Sequence, residues 1–244
     1  MTLNTRWLGF LATSALLVAT GVRAECEKPQ LPEGVTGYSV CKDWPAFDGQ
    51  TITASSGFTV DPKYPDSYVG MYDLNLAVVD SASAKVLASF RQADAFSSDA
   101  IRLDDVSIDT ARYTLAPQVR AFGVRASYKG SSRLNPGDGV TLSLFVREGK
   151  RLRPVMEKLE TYVYGGEWDG SCAGDRYEIT RTVSIGKDSR HGYADLIIRT
   201  VTLSTHGAGE GDECQIESTT AKPELTTLRY DGKRYVLPSG FKGL

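Results

Sequence analysis

Residues 193–204 read YADLIIRTVTLS, and the alternation in this stretch decides the fold class. Positions 197, 199, 201 and 203 lie on one side of an extended chain, and positions 198, 200 and 202 lie on the other. The stretch is also rich in threonine, valine and isoleucine, which favour a pleated, half-buried surface. A period of two with this composition is typical of a β-strand.

The same pattern recurs along the chain, for example in TITASSGFTV (51–60), TLSLFV (141–146) and YEITRTVSI (177–185). Clusters of glycine, proline, serine and aspartate separate these runs at short intervals. About ten or more strands spaced in this way indicate an antiparallel all-β sandwich or a barrel-like architecture. Partial propeller-like β-sheets are the alternative. We expect one large domain over residues 25–244, with a subdivision near 130–139 as a second option.

Two stretches need the structure to settle their form. Residues 155–165 (VMEKLETYVYG) fit helical spacing as well as strand spacing, and both remain open. Residues 227–238 (TLRYDGKRYVLP) predict a hairpin around Asp231-Gly232, because a type I′ turn needs positive φ at both central positions. A two-residue loop would place Arg229 opposite Arg234, so we expect these arginines to meet acids from a neighbouring strand.

This closing hairpin, preceded by GYADLIIRTVT, resembles the last strands of a broad set of uncharacterised exported bacterial β-proteins. Some of these are similar to FG-GAP-type propeller repeats, in which an Asp-rich turn precedes a strand. The resemblance is confined to the C-terminal strands, and GKDSRHGYADL lacks the D-x-D-x-D-G calcium loop of such repeats. It implies an exported, β-rich protein and no particular activity.

The N-terminus predicts a secretory signal peptide over residues 1–24. Arg6 precedes the apolar run 7–20, and VRA ending at Ala24 offers small residues at a cleavage site. The apolar run is shorter than the roughly 20 residues of a spanning helix. We therefore expect a periplasmic or secreted protein with no membrane span.

The four cysteines all follow this segment, and an even number in an exported chain predicts disulfides. We expect the pairs Cys26–Cys41 and Cys172–Cys214, since each then closes within its own half of the chain. A zinc site is disfavoured because there is no C-x₂-C pair and the two histidines are far apart in sequence.

The net charge of the chain gives no indication of a polyanionic partner. The net charge of the whole chain is −2, and removal of residues 1–24, with Arg6 and Arg23 and no acid, leaves −4. A mildly acidic chain gives no reason to expect binding to nucleic acid or to an anionic membrane.

Residues 169–175 (DGSCAGD) resemble a nucleophile elbow, half of a metal loop, or a turn held by a disulfide. A nucleophile elbow requires a helix after the nucleophile, whereas Cys172 is followed by a strand pattern. We therefore favour the turn held by a disulfide, with the metal loop as the open alternative.

A Cys172–Cys214 bond would bring two acidic, glycine-rich loops together, and calcium prefers such flexible carboxylate and carbonyl oxygens. A solvated acidic rim is favoured over calcium, since no calcium-loop spacing occurs. A pair of carboxylates such as Glu167 and Glu213 could also serve a glycosidase, but only Trp168 is near enough in sequence to raise a pKa. The predicted partner- or calcium-binding acids are Glu167, Asp169, Asp175, Glu210, Asp212 and Glu213, with Glu178 and Glu217 nearby.

The sequence thus predicts an exported, non-catalytic binding protein without a cofactor, which recognises a protein partner or an envelope component through its loops. One alternative is an exported hydrolase that acts on glycan or peptide through the same acids. The other is a calcium-stabilised structural protein.

Overall fold

The computed structural model describes residues 26–244, which form twelve β-strands, one 3-10 turn and no α-helix. The predicted all-β class is confirmed; the predicted signal peptide lies outside the described residues. The elements are β1 Gly37–Asp43, β2 Gln50–Val60, β3 Gly70–Asp80, β4 Val86–Ser98, β5 Ile101–Ala116, β6 Val119–Gly130, β7 Gly137–Glu148, β8 Arg151–Trp168, β9 Gly174–Arg190, β10 Tyr193–Ala208, the 3-10 turn Gly211–Glu213, β11 Gln215–Thr220 and β12 Glu224–Leu228.

The strands form one hydrogen-bonded sheet in the order β1-β2-β3-β4-β8-β7-β6-β5, from which β9 branches at β8. β10 pairs with β9 along one edge, and with both β11 and β12 along the other. All pairs are antiparallel except one short parallel link between Ser89 of β4 and Arg151 of β8. The fold is sandwich-like and is neither a closed barrel nor a set of separate propeller blades.

The central strands β6 and β7 separate two hydrophobic cores. Phe145 of β7 packs into a core shared with β2, β3 and β4, whereas its neighbour Leu144 packs into a second core shared with β8, β10 and β12. Consecutive residues of a strand point to opposite faces, so both faces of β7 can be apolar. This accounts for the nearly continuous apolar run that the sequence shows at 142–146.

The stretch 155–165, which the sequence left open, belongs to β8. Its helical spacing reflects irregular pairing with β7, where the register shifts at Leu142/Leu144. Lys158 takes a φ of 55° there, and its backbone N donates to the Ser143 hydroxyl at 2.9 Å. Apolar residues three or four apart therefore share a face without a helix.

The terminal hairpin has a different register from the predicted one. Tyr230 pairs with Tyr235, so four residues rather than two form the turn. The Asp231 carboxylate accepts hydrogen bonds from the backbone N of residues 233 and 234, both at 2.7 Å. Burial of both tyrosine rings against each other outweighs the type I′ preference, and the predicted Arg229–Arg234 opposition does not occur. Arg229 does meet an acid, since its Nε lies 4.0 Å from Asp195 Oδ2.

The stretch 130–139 spans the turn between β6 and β7, where Lys129 pairs with Asp138 across the hairpin. Since both strands contribute to both cores, the single-domain organisation stays our prediction.

The predicted Cys26–Cys41 disulfide is present, with a Cα–Cα distance of 6.0 Å. It fastens the N-terminal segment to β1. The outer side of β1 is covered by β5: the Tyr38 hydroxyl donates to Leu103 O at 2.7 Å, and Lys42 Nζ donates to Ile108 O at 3.2 Å. These side-chain contacts cover the edge without a backbone ladder.

Candidate functional site: stapled loops, acidic row and edge strand

The second predicted disulfide joins Cys172 to Cys214, with a Cα–Cα distance of 5.7 Å. Cys172 is 1% exposed, and the described residues contain no free cysteine. A cysteine in a disulfide has no thiolate to attack a substrate. The prediction of a turn held by a disulfide is therefore confirmed over that of a nucleophile elbow. We call residues 169–173 and 209–214 the stapled loops.

Asp169 organises the first stapled loop. Its Oδ1 accepts hydrogen bonds from the backbone N of Ser171 and of Cys172, both at 2.8 Å, and its own backbone N donates to Ala173 O. The hydrogen bond from the Ser171 backbone lowers the pKa of this carboxyl, and those from Ala173 and Cys172 lower it further. Aspartate side chains commonly bond their own backbone in turns. The Asp169 carboxylate is thus engaged within its own loop.

The loop rests on a glycine of β10. A Cβ on Gly207 would lie 2.1 Å from Cys172 O and 2.9 Å from the Trp168 ring, so only glycine permits this approach. The Arg176 guanidinium carbon lies 3.8 Å from the centre of the Trp168 ring, a cation–π geometry. The cation–π contact, the disulfide and Gly207 together fix the end of β8, the start of β9 and the end of β10 relative to one another.

Four titratable residues lie directly opposite one another on four adjacent strands. Glu167 of β8 pairs with Asp175 of β9, Asp175 pairs with His206 of β10, and His206 pairs with Glu217 of β11. Directly opposed residues share a face of the sheet. We call these four residues the acidic row. His206 Nδ1 and Asp175 Oδ1 are 2.7 Å apart, and the two side chains are 62% and 81% exposed.

The structure brings together some of the predicted acids and separates others. Glu178 lies on the opposite face of β9 from Asp175, where the Tyr162 hydroxyl donates to its carboxylate at 3.4 Å. Glu210, Asp212 and Glu213 lie in or beside the exposed 3-10 turn, outside the acidic row. Within residues 26–244 no group of three or more His, Cys, Asp or Glu side chains is placed to hold a metal ion. Calcium binding therefore stays a prediction that this geometry does not strengthen.

The sequence reasoning missed the place of His206 in the row. Only the pairing of β9 with β10 brings this histidine against Asp175, 31 residues away. No hydroxyl or thiol in the described part of the chain is hydrogen-bonded to His206. The pair lacks the hydrogen-bonded nucleophile that acyl-transfer catalysis requires.

β11, which contributes Glu217 to the acidic row, is an edge strand of the sheet. All six of its residues are exposed, its pairing with β10 runs without a register shift, and no other described strand pairs with it. Natural edge strands are usually protected by charged side chains, especially lysine, by proline or by a bulge. The sequence QIESTT of β11 has no lysine, proline or bulge, and Glu217 is its one charged residue; Lys222 and Pro223 follow just beyond the strand.

The backbone of β11 offers free hydrogen-bonding groups in a regular pattern. Ala221 N donates to Thr202 O at 2.9 Å, which makes residues 202 and 221 a hydrogen-bonded pair just beyond the strand. Hydrogen-bonded and non-bonded pairs alternate along an antiparallel ladder, so residues 217 and 219 also bond to β10. The residues whose N–H and C=O groups point away from β10 are Ile216, Ser218 and Thr220.

Two disulfides in one chain indicate an oxidising environment. No helix within residues 26–244 has the length and apolarity needed to cross a membrane. No protein-family model, curated protein or solved structure matches this chain. The resemblance of the C-terminal strands to exported β-proteins thus stays a prediction.

Proposed function

We propose that this chain is an exported, non-catalytic binding protein that adds an extended segment of a partner protein to its sheet at β11. The observation that carries the proposal is the exposed edge, with N–H and C=O groups directed outward at three alternate residues. In β-strand addition these main-chain groups supply affinity, and side chains at alternate positions supply specificity.

The Cys172–Cys214 bond supports this role because Cys214 directly precedes β11. It holds the start of the strand against the loop that follows β8. An edge held in its binding conformation loses less conformational entropy when a partner binds. The disulfide thus contributes to recognition as well as to stability.

The acidic row indicates which partner would fit. A strand added beyond β11 would place one residue directly opposite Glu217, on the face that also carries Asp175 and Glu167. A lysine or arginine at that position would have favourable charge complementarity with the row. The expected partner is an extended, neutral to basic segment of an exported protein.

Export is supported by the two disulfides together with the signal-like sequence of residues 1–24. Binding is favoured over hydrolysis because Asp169 is engaged in its own turn and Cys172 is bonded to Cys214. The Asp175–His206 pair lies on an open sheet surface, whereas catalytic acids and bases work in clefts that exclude water.

The test uses a display library of nine-residue peptides selected against the disulfide-intact protein. We expect enrichment of β-prone peptides with a basic residue at one fixed position. Ser218→Pro removes an outward N–H without removing a backbone hydrogen bond to β10, and proline is tolerated at the free side of an edge strand. It also removes the side-chain hydrogen bond between Ser218 Oγ and Thr205 Oγ1 of β10, at 3.1 Å. It should weaken binding of the enriched peptides about tenfold or more, a loss of about 1.4 kcal/mol.

The matched control is Ser218→Ala, which loses the same hydroxyl but keeps the N–H and should bind within about twofold of the wild type. Circular dichroism and melting temperature verify that the proline variant retains its fold. The proposal is overturned if no peptide is enriched, or if enriched peptides bind the folded proline variant as tightly as the wild type.

A further inference from the structure

A cleft of about 730 Å³ opens beside the acidic row, away from the β11 edge. Strands β6, β7, β8 and β9 and the β6–β7 turn line it, and Glu167 lies at one side. Its volume falls within the range of small-molecule sites in proteins. The β11 edge makes no use of this space, and of the predicted acids only Glu167 borders it.

Glycines open the floor of the cleft. Gly137 of β7 pairs with Gly165 of β8, and Gly165 pairs with Tyr177 of β9, so two neighbouring strands present no side chain there. A Cβ on Gly165 would lie 2.7 Å from the Tyr177 hydroxyl oxygen and 2.9 Å from Cζ of its ring. The 43%-exposed Tyr177 ring therefore lies across the glycine and forms a wall of the cleft.

The charges that line the cleft all have one sign. Glu160 and Glu167 are charged side chains among its lining residues, and no lysine, arginine or histidine of residues 26–244 lines it. Asp138 also borders the cleft, but it follows Gly137 in β7, so its side chain points to the opposite face of the sheet, beside Tyr164. Glu160 Oε2 is 3.7 Å from Arg181 Nη1, and Asp138 Oδ1 accepts a hydrogen bond from Gly130 N at 3.2 Å. The Glu167 side chain has no ion pair or hydrogen bond within the described part of the chain, so its charge is uncompensated.

A buried hydroxyl without a partner lies at the same place. Tyr128 lines the cleft and is 4% exposed, and its hydroxyl oxygen has no hydrogen-bond partner among residues 26–244. Buried polar groups are almost always hydrogen-bonded, so an orphaned hydroxyl needs a reason. A ligand that donates a hydrogen bond would satisfy it.

We propose that this cleft binds a small organic ammonium ion, a primary amine on an apolar body. Glu167 supplies the negative charge, the Tyr177 ring offers a face for a cation, and the Tyr128 hydroxyl accepts an N–H. The apolar lining residues Ile101 and Val163 would contact the aliphatic part. This site shares Glu167 with the acidic row, but it lies away from the β11 edge and does not depend on strand addition.

The test compares two ligands of the same length, 1,5-diaminopentane and 1,5-pentanediol, by calorimetry and by amide shifts in NMR at 150 mM salt. We expect saturable binding of the diamine, with shifts centred on Gly137, Gly165 and Gly166, and weaker binding of the diol by about tenfold or more. Equal binding of the two ligands, or no saturation by the diamine at millimolar concentration, overturns the proposal.

Two variants separate the cleft from the general charge of this face. Glu167→Gln should weaken diamine binding about fivefold to tenfold. Glu217→Gln removes an equal charge from the same face outside the cleft and should change it by less than about twofold. If both variants weaken binding equally, the diamine is held only by the overall acidic surface and the proposal fails.

Tyr128→Phe distinguishes a ligand contact from a structural role. Because the hydroxyl has no hydrogen-bond partner among residues 26–244, its removal should leave the melting temperature unchanged or raise it. The same change should weaken diamine binding about threefold or more, through loss of an acceptor. A variant that is folded and binds the diamine as the wild type does would exclude the hydroxyl and overturn this arrangement.

Discussion

Each disulfide of this protein fastens a strand at one end of the sheet, but the two ends differ in what lies beyond the strand. Next to Cys26–Cys41, the outer side of β1 is covered by β5 through the Tyr38 and Lys42 side chains. Next to Cys172–Cys214, all six residues of β11 are exposed, and no described strand pairs with its outer side. One disulfide thus lies beside a covered edge of the sheet, and the other lies beside an exposed edge.

Side-chain cover, rather than the disulfide, decides whether an edge of this sheet is available to a partner. At β1 the sheet path ends beside β5, whose Leu103 and Ile108 carbonyls accept hydrogen bonds from the Tyr38 and Lys42 side chains. At β11 the path ends at solvent, beside an acidic row that could orient a partner. An edge that is both rigid and open is suited to strand addition.

The largest effect expected is from removal of the staples. The Cys172–Cys214 bond closes a segment of 42 residues and the Cys26–Cys41 bond one of 15. In the chain-entropy model these bonds contribute about 4 and about 3 kcal/mol to the free energy of unfolding. Urea denaturation of the two paired cysteine-to-alanine variants measures this difference.

Hydrogen exchange on the same variants tests what each staple holds. Loss of Cys172–Cys214 should speed exchange in β10 and β11 and leave β1 protected, since β5 still covers β1. Loss of Cys26–Cys41 should leave β11 unchanged. Equal loss of protection at both ends from either variant would contradict the comparison.

The second-largest effect is expected at Asp109 of β5, the strand that covers the outer side of β1. Burial alone would raise the pKa of its carboxyl, but hydrogen bonds from Ala111 N, the Arg125 guanidinium and the Tyr113 hydroxyl outweigh burial and lower it. Asp109→Asn should therefore reduce the free energy of unfolding by about 1–3 kcal/mol at pH 7.

The pH dependence of that loss has a definite sign. A carboxyl whose pKa is lower when folded stabilises the protein above its unfolded pKa of about 3.9, and this contribution fades as pH falls through the folded value. The difference in free energy of unfolding between Asp109→Asn and the wild type should therefore become smaller below about pH 4. Denaturation at pH 7 and pH 3 measures it, with the exposed Asp104→Asn as control. If this difference is the same at pH 7 and pH 3, the ionised carboxylate is not its cause.

The smallest effect expected is at the contact that covers β1. Tyr38→Phe removes the hydroxyl that donates to Leu103 O and should cost about 1 kcal/mol in the free energy of unfolding. Hydrogen exchange should then rise in β1 and the start of β5. Tyr64→Phe, at an exposed ring outside the strands, is the matched control. If Tyr38→Phe has no more effect than Tyr64→Phe, this hydrogen bond does not cover the edge.

Local patterns made some of these features predictable. Alternation and turn residues indicated the strands, and both cysteine pairs followed from their number and spacing. The Asp231 turn was recognised, but its register was wrong by two positions on the C-terminal side, because Tyr230 pairs with Tyr235 rather than with Lys233. Pairing of Tyr230 with Tyr235 depends on a core formed with strands that are distant in sequence.

The candidate sites were predictable only in part. The acids around Cys172 could be selected because a disulfide would bring their loops together. Which of these acids share a face depends on the register of the strands. In the observed register Asp175 lies beside His206, and Glu178 points to the opposite face. The cleft under Tyr177 could not be foreseen, because Gly137, Gly165 and Tyr128 come from three strands.

By itself, the sequence determined that this chain forms antiparallel strands stapled by two disulfides, because side-chain period, turn chemistry and cysteine count are local properties. Only the tertiary structure decided which edge is covered, which acids align and where a cleft opens. Those features arise from contacts between residues far apart in the chain, such as Tyr38 with Leu103 and His206 with Asp175. No local pattern encodes them, since a shift of one residue in register would turn each side chain to the other face.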